Sequence, residues 1–301
     1  MTQASAPGEH DIVAKPLRHP WRVVWAVVLL IVVGLFVYAL ATAPTINHAM
    51  VIQYLFSPLI LNGAGLTVIL TIASMVIATV LATVLAVMKL SDNPLLKVIA
   101  TAYIEFFRGT PLLLQIVFWG YLGMIFPNVI LGIPFTKVVF FSAPTHEVIP
   151  MLAAGLLALS LNEAAYAAEI VRAGILSVDT GQTEAAKSLG MSGWYTMRKI
   201  VLPQAMRVII PPMGNETISM LKSTSLLQVI AVAELYTVAT QISSQNLAQV
   251  ELLIVAAFWY LVMNTVLGFP QRYLERRYGR GFSRTTGKTR IGRGGLNGGH
   301  V

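Results

Sequence analysis

The chain has 301 residues, of which 56% are hydrophobic and 11% charged, with a mean hydropathy of +0.71. Soluble domains carry about 25% charged residues and disordered chains lack apolar surface, so both classes are excluded for the bulk of the sequence. The net charge of +8, in a chain without cysteine, points to a membrane protein whose basic residues mark cytoplasmic loops, and it excludes disulfides, thiol nucleophiles and cysteine-bound metals.

A helical crossing needs roughly 20 mostly apolar residues. The opening segment, 1–22, carries Lys15, Arg18 and Arg22 and is expected in the cytoplasm. The run 23–43 is apolar without a charge and ends in Ala39-Leu40-Ala41-Thr42-Ala43, an A-x-A-like cleavage pattern. It exceeds the roughly 7–15 apolar residues of a signal peptide, which favours a retained span over a cleaved signal. Residues 66–88 predict a second span, with only Thr and Ser inside. Residues 112–126 predict a third, extending back toward Ala100. A fourth covers 148–170, interrupted by Asn162, Glu163 and Glu169, and the last covers 252–269.

Residues 208–232, with Asn215, Glu216 and Lys222, are undecided by hydropathy alone, so charge placement decides. The segment from Arg172 to Arg207 is basic. So is the tail after Pro270, with Arg272, Arg276, Arg277, Arg280, Arg284, Lys288, Arg290 and Arg293. Both are assigned to the cytoplasm, which requires an even number of crossings between them and makes 208–232 a polar span turned toward protein. The result is an all-α integral membrane bundle of about six transmembrane helices with both termini inside. Of its 21 Lys and Arg, only Lys137 then lies outside. The external connections are 44–62, 127–147 and 233–250, the middle one irregular and proline-containing. The tail 278–301 is expected to be disordered. Its Gly281…Gly287-Lys288-Thr289 imitates a phosphate loop, but five residues separate the glycines where four are needed, so ATP binding is rejected.

Residues 175–207 form the most informative loop. Asp179 can cap a short helix with Gln182 as capping-box partner, Glu184, Ala185, Ala186 and Lys187 favour helix, and Gly190 supplies a left-handed stop. Ser192 can cap a second helix expected to stop before Pro203. A short helix with an alanine face suits docking into another protein's groove, or lying on lipid headgroups; these physical arguments leave both open.

Glu184-Ala185-Ala186, three residues, Gly190, nine residues, Ile200, one residue and Leu202-Pro203 resemble, spacing included, the EAA signature of the permease subunits of bacterial ABC importers. The resemblance extends over 63–277. Tyr103-x-Glu105-x-x-Arg108-Gly-Thr-Pro-Leu112 and Ala165-Tyr166-x-x-Glu169-x-x-Arg172-x-Gly174-Ile175 are similar to blocks of the polar amino-acid subfamily, which includes importers of histidine, arginine, glutamine, glutamate and opines. The extra N-terminal helix and the basic tail lie outside the common core and rest on the sequence reading alone; the family implies a five-helix importer core in the bacterial inner membrane. It implies a coupling element at Glu184, Ala185, Ala186, Gly190, Ile200, Leu202 and Pro203 that docks on a cytoplasmic ATPase dimer. A second permease subunit, identical or paralogous, and an extracytoplasmic amino-acid-binding protein complete the assembly. ATP and Mg would be bound by the ATPase, leaving no cofactor and no catalytic site in this chain. An importer for another solute is the main alternative, and a stand-alone secondary transporter the next.

Within the spans, Glu105–Arg108 and Glu169–Arg172 are three apart and are expected to pair as braces. Asn162, Glu163 and Tyr166, with Lys222, Ser223, Thr224 and Ser225, are candidates for the substrate pathway. Glu163 has no basic residue within four positions and suits an α-amino group or cationic side chain, or else a pair with Lys222. The scattered histidines show no metal-ligand spacing, and nothing suggests nucleic-acid binding.

Overall fold

The computed structural model describes residues 20–133, 136 and 138–278. The expectations for Lys137, for 1–19 and for 279–301, including the phosphate-loop imitation, fall outside these residues. The chain divides into two units, 1–48 and 49–301. In the first, α1 (Pro20–Thr42) is a charge-poor helix of hydropathy 2.9. Its side chains from Trp21 onward are almost all exposed, as a surface made for lipid would be.

The second unit opens with a short helix α2 (His48–Leu55) inside the expected connection 44–62. Ser57 accepts from the Ile60 N–H and Pro58 takes the first turn, so α3 (Pro58–Leu90) starts eight residues before the expected 66. Proline suits that position because its missing N–H would be unpaired there anyway. α4 (Pro94–Gly109) and α5 (Leu112–Gly120) follow, then the single turn α6 (Leu122–Ile125). The expected third span is therefore broken. Thr110 is extended (φ −111°, ψ 140°), the conformation imposed on a residue preceding proline.

The expected irregular connection 127–147 is a hairpin of β1 (Asn128–Gly132) and β2 (Val139–Pro144), antiparallel, with Asn128 opposite Pro144. The turn α7 (Thr145–Val148) closes it, Thr145 Oγ1 donating to the Phe126 carbonyl. α8 (Met151–Leu176) is the most buried span, its alanine-rich face packed against α3, α4, α5 and the later helices. Close approach needs small residues: a Cβ on Gly155 would meet Leu227 at 2.8 Å and one on Gly174 would collide with Ile209.

After α8 come α9 (Thr180–Ser188), α10 (Gly193–Thr196), a π-helical turn at Met197–Val201, and α11 (Leu202–Ser223). A 3₁₀ segment (Thr224–Ile230) carries on from α11 and ends at Ala231 in the left-handed region (φ 55°). The expected loop 233–250 holds a helix instead, α12 (Leu235–Asn246), packed on α3 and α13 (Gln249–Tyr278). Its N-cap Glu234 is fully buried and accepts from the Thr237 N–H and hydroxyl, from Tyr260 Oη (2.7 Å) and from Thr67 Oγ1.

Among the described residues four helices are long and apolar enough to cross a membrane, α1, α3, α8 and α13. The pair 193–230 and 235–246, bent by 45°, makes up to five. By length and composition the bundle is all-α and polytopic, and two of the expected crossings fall short of that measure among the described residues. Pro111 splits one expected crossing into helices too short to qualify, and the left-handed Ala231 bends another.

Candidate functional site

The segment after α8 is built by its caps. Asp179 Oδ1 accepts from the Gly181 N–H at 2.7 Å, so α9 is N-capped by Asp179 directly, without the side chain of Gln182. At the other end the Met191 N–H reaches the Ala186 carbonyl and the Gly190 N–H the Lys187 carbonyl, with Gly190 at φ +74°. This is a Schellman ending, and it needs a residue tolerant of the left-handed region. Ser192 accepts from the Tyr195 N–H and starts α10.

The helix expected to stop before Pro203 does not stop. The π turn widens the backbone over 197–201, Pro203 enters in the first turn of α11, and Gln204 Nε2 donates to the Ile200 carbonyl at 3.0 Å. A bulged turn of this kind relieves the clash that proline makes with the carbonyl four residues earlier.

Glu184, Ala185, Gly190 and Pro203 are exposed, Ile200 is half-buried and Leu202 is 41% exposed. Ala186 is 1% exposed. Its place on the docking surface is corrected: it seats α9, which packs on α10 and the π turn. The sequence reading passed over Leu189 and Trp194, exposed by 82% and 75%. Their signal was there, large apolar side chains in a polar segment. Trp194 also borders an apolar cleft of about 870 Å³ with Met75, Val171, Met206 and Met213, linking this segment to α3, α8 and α11.

The expected pairs separate. Glu169 pairs with Arg172 at 2.9 Å and also with Lys89 of α3 at 2.7 Å, a partner 80 positions away that local spacing could not reveal. Glu105 and Arg108 form no ion pair. Glu105 is exposed, and the Arg108 guanidinium turns to the α8 side, 5.2 Å from the ring centre of Tyr166. The face of an aromatic ring attracts a cation, and an exposed pair has little to offer in competition.

Asn162 is buried, and its amide is engaged by neighbouring groups. Its Nδ2 donates to the Phe107 carbonyl at 3.0 Å and to Gln115 Oε1, while Gln115 Nε2 donates to the carbonyls of Phe107 and Thr110. The two amides bracket the break between α4 and α5 and take up carbonyls that the break leaves without helical partners. Ser223, Thr224 and Ser225 bond to carbonyls of their own helix, and Lys222 is exposed and forms no pair with Glu163. Glu163 is 6% exposed, and its Oε1 has no hydrogen-bond partner. The charged group acting on it is another carboxylate, Glu216 of α11. Next to them lies a cleft of about 460 Å³ bordered by Arg108, Tyr166, Glu169, Arg172 and Glu216.

Comparison with known proteins gives this arrangement relatives. Residues 78–280 match the family model of the binding-protein-dependent transport system inner membrane component. The arginine transport system permease protein ArgU of Corynebacterium glutamicum is 43% identical over 94% of this chain and 88% of its own length. The glutamate/aspartate import permease protein GltK of Escherichia coli O157:H7 is 36% identical over 73% of this chain and 93% of its own. Among solved structures, that of an amino acid ABC transporter with histidines superposes with a TM-score of 0.65 at 36% identity, covering 77% of this chain and 99% of that one. The MetNI methionine ABC transporter, at 17% identity and a TM-score of 0.58, shares the fold.

Proposed function

The chain belongs to the family of binding-protein-dependent transport system inner membrane components, a multi-pass membrane protein, and from that membership we propose the working assembly and the cargo. The chain is the permease subunit of an ATP-driven importer for polar amino acids. It carries the solute path, and the chemistry of ATP hydrolysis belongs to a partner ATPase dimer that holds ATP and Mg. A second permease subunit closes the other side of the path, and an extracytoplasmic binding protein delivers the amino acid.

The observation that carries the reading is α9. It is a capped helix of nine residues with Glu184, Ala185, Leu189 and Gly190 exposed, and Ala186 fixes it to the base of a continuous helical rod from 193 to 230. A push on α9 therefore moves α11 as a unit. The hairpin and α9 lie at opposite ends of α8, whose 26 residues span about 39 Å, enough for one crossing. The basic residues Lys187, Arg198, Lys199 and Arg207 belong to the segment at the α9 end, and by the positive-inside rule they support a cytoplasmic position for that end and for both termini. Closure of the ATPase dimer draws the two α9 helices together and opens the path outward. Hydrolysis releases them.

The test is uptake of radiolabelled amino acids into proteoliposomes containing the permease, ATPase and binding protein. Uptake driven by ATP and abolished without nucleotide is the expected result. Uptake driven by an ion gradient with the ATPase absent would replace this reading with that of a secondary transporter.

A further inference from the structure

We propose that the apolar cleft between α3, α8 and α11 is a binding site for an anionic phospholipid, with an acyl chain lying in the cleft and the phosphate at the end nearest α9. The cleft holds about 870 Å³ and is bordered along one stripe of α3 by Met75, Thr79, Thr83, Val87 and Leu90. At 1.5 Å per residue that stripe is about 22 Å long, enough to cross one leaflet of the hydrocarbon core, which is about 15 Å thick. Val76, Val87 and Met206 on its rim are exposed, so the cleft is open along its side. No charged residue borders it among the described residues. The hydroxyls of Thr79, Thr83 and Thr217 donate to carbonyls of their own helices. Those donors are spent, and the wall has little to hold water or a polar solute, each of which needs several polar partners. An empty cleft would forfeit dispersion contacts along its whole length. Between membrane spans the filler at hand is an acyl chain, to which the flexible side chains of Met75, Met197, Met206 and Met213 can adapt.

At the α9 end the chemistry changes. Leu90, Ser91, Trp194 and Met197 form that end of the cleft, and Arg198 and Lys199 follow Met197 in the chain. Both are exposed, and the ion pairs among the described residues all belong to Glu169. Tryptophan favours the boundary between hydrocarbon and headgroups. A phosphate there supplies the oxygens that a guanidinium and an ammonium lack. A zwitterionic headgroup brings its own cation to the same place, so the two basic residues select for net negative charge. The apolar wall by itself would also suit a second copy of the chain; the two unanswered cations at one end favour the lipid. The leaflet concerned is the cytoplasmic one in the orientation proposed above, and the site is independent of the cargo. A seated chain would fix the spacing between α3 and the rod that begins at Gly193, which makes the lipid part of the linkage between α9 and the spans.

The test is native mass spectrometry of the permease–ATPase assembly released from nanodiscs that hold dioleoylphosphatidylglycerol and dioleoylphosphatidylcholine in equal amounts. The expected result is a phospholipid retained on each permease chain, with phosphatidylglycerol favoured by at least about tenfold, the ratio that two basic residues at a headgroup support. Val87→Trp and Met206→Trp each fill the cleft from its exposed rim and should abolish retention. Arg198→Gln combined with Lys199→Gln should keep the lipid and narrow the preference to within about threefold. Both of those side chains are exposed, so this variant decides the matter if the Trp variants fail to assemble. No retained phospholipid, retention untouched by the Trp variants, or equal retention of the two lipids overturns the proposal. So does oxidative cross-linking of two Val87→Cys permease chains, which would put a second copy over the cleft. ATP-driven uptake is measured separately, and none of these results alters the transport reading.

Discussion

Gly190 sits at φ +74° with open space around it, so a side chain there meets a backbone penalty and no steric collision. A β-branched residue in the left-handed region costs about 1–2 kcal/mol, enough to undo the turn after α9 without unfolding the spans. Gly190→Val should leave insertion and the thermal midpoint of the core nearly unchanged while lowering ATP-driven uptake by roughly tenfold (one decade per 1.4 kcal/mol). Parallel measurements of membrane abundance and uptake check this. Glu169 makes the opposite prediction. Removing its charge leaves Lys89 and Arg172 facing each other in a partly buried site, where loss of a shared partner costs about 1–3 kcal/mol after allowance for solvent. Glu169→Gln should therefore lower the thermal unfolding midpoint of the purified assembly, and a double variant with Lys89→Met should recover part of the loss.

Between elements, α12 depends on one carboxylate. Glu234 receives four donors from α3, α12 and α13, and its removal takes the acceptor from Tyr260 and from the first turn of α12 at once, while the Thr67 hydroxyl keeps the Gly63 carbonyl. Glu234→Ala should destabilise that region by about 2–4 kcal/mol, seen as faster amide exchange over 235–246 than over α8. α12 also shows where the sequence was hard to read. Its residues Thr237, Gln241, Ser243, Ser244 and Asn246 look like a loop. The turn before it uses Ala231 and not glycine at positive φ, so the usual punctuation is missing. The Schellman ending at Gly190 and the caps at Asp179 and Ser192 were legible because each relies on a residue type with few other local uses. α3, α8 and α13 were legible as long apolar runs. The π turn at 197–201, the Asn162–Gln115 bracket and the Lys89–Glu169 pair were not. Each joins groups brought together only by packing, and local spacing carries no trace of them. Arg108 shows the limit from the other side: i, i+3 spacing allowed a pair with Glu105, and the ring of Tyr166 on another helix took the guanidinium instead.

Across the molecule, the same α8 ties the pieces together. It is packed by α3, α4, α5 and α11, contributes Glu163, Tyr166, Glu169 and Arg172 to the polar region, and ends four residues before α9 begins. Motion of α9 therefore reaches the cleft by two short routes, through the end of α8 and through the rod that begins at Gly193. In the proposed assembly the permease acts as a lever and gate driven from the cytoplasm. Because the chain has no cysteine, a single Ser188→Cys substitution on exposed α9 gives one labelling site. The decisive measurement is its reaction with a membrane-impermeant maleimide in right-side-out and inside-out vesicles, with and without the ATPase subunits. Labelling from the cytoplasmic side alone, suppressed when the ATPase is bound, is the predicted result; labelling from outside, or labelling that the ATPase leaves unchanged, would contradict it.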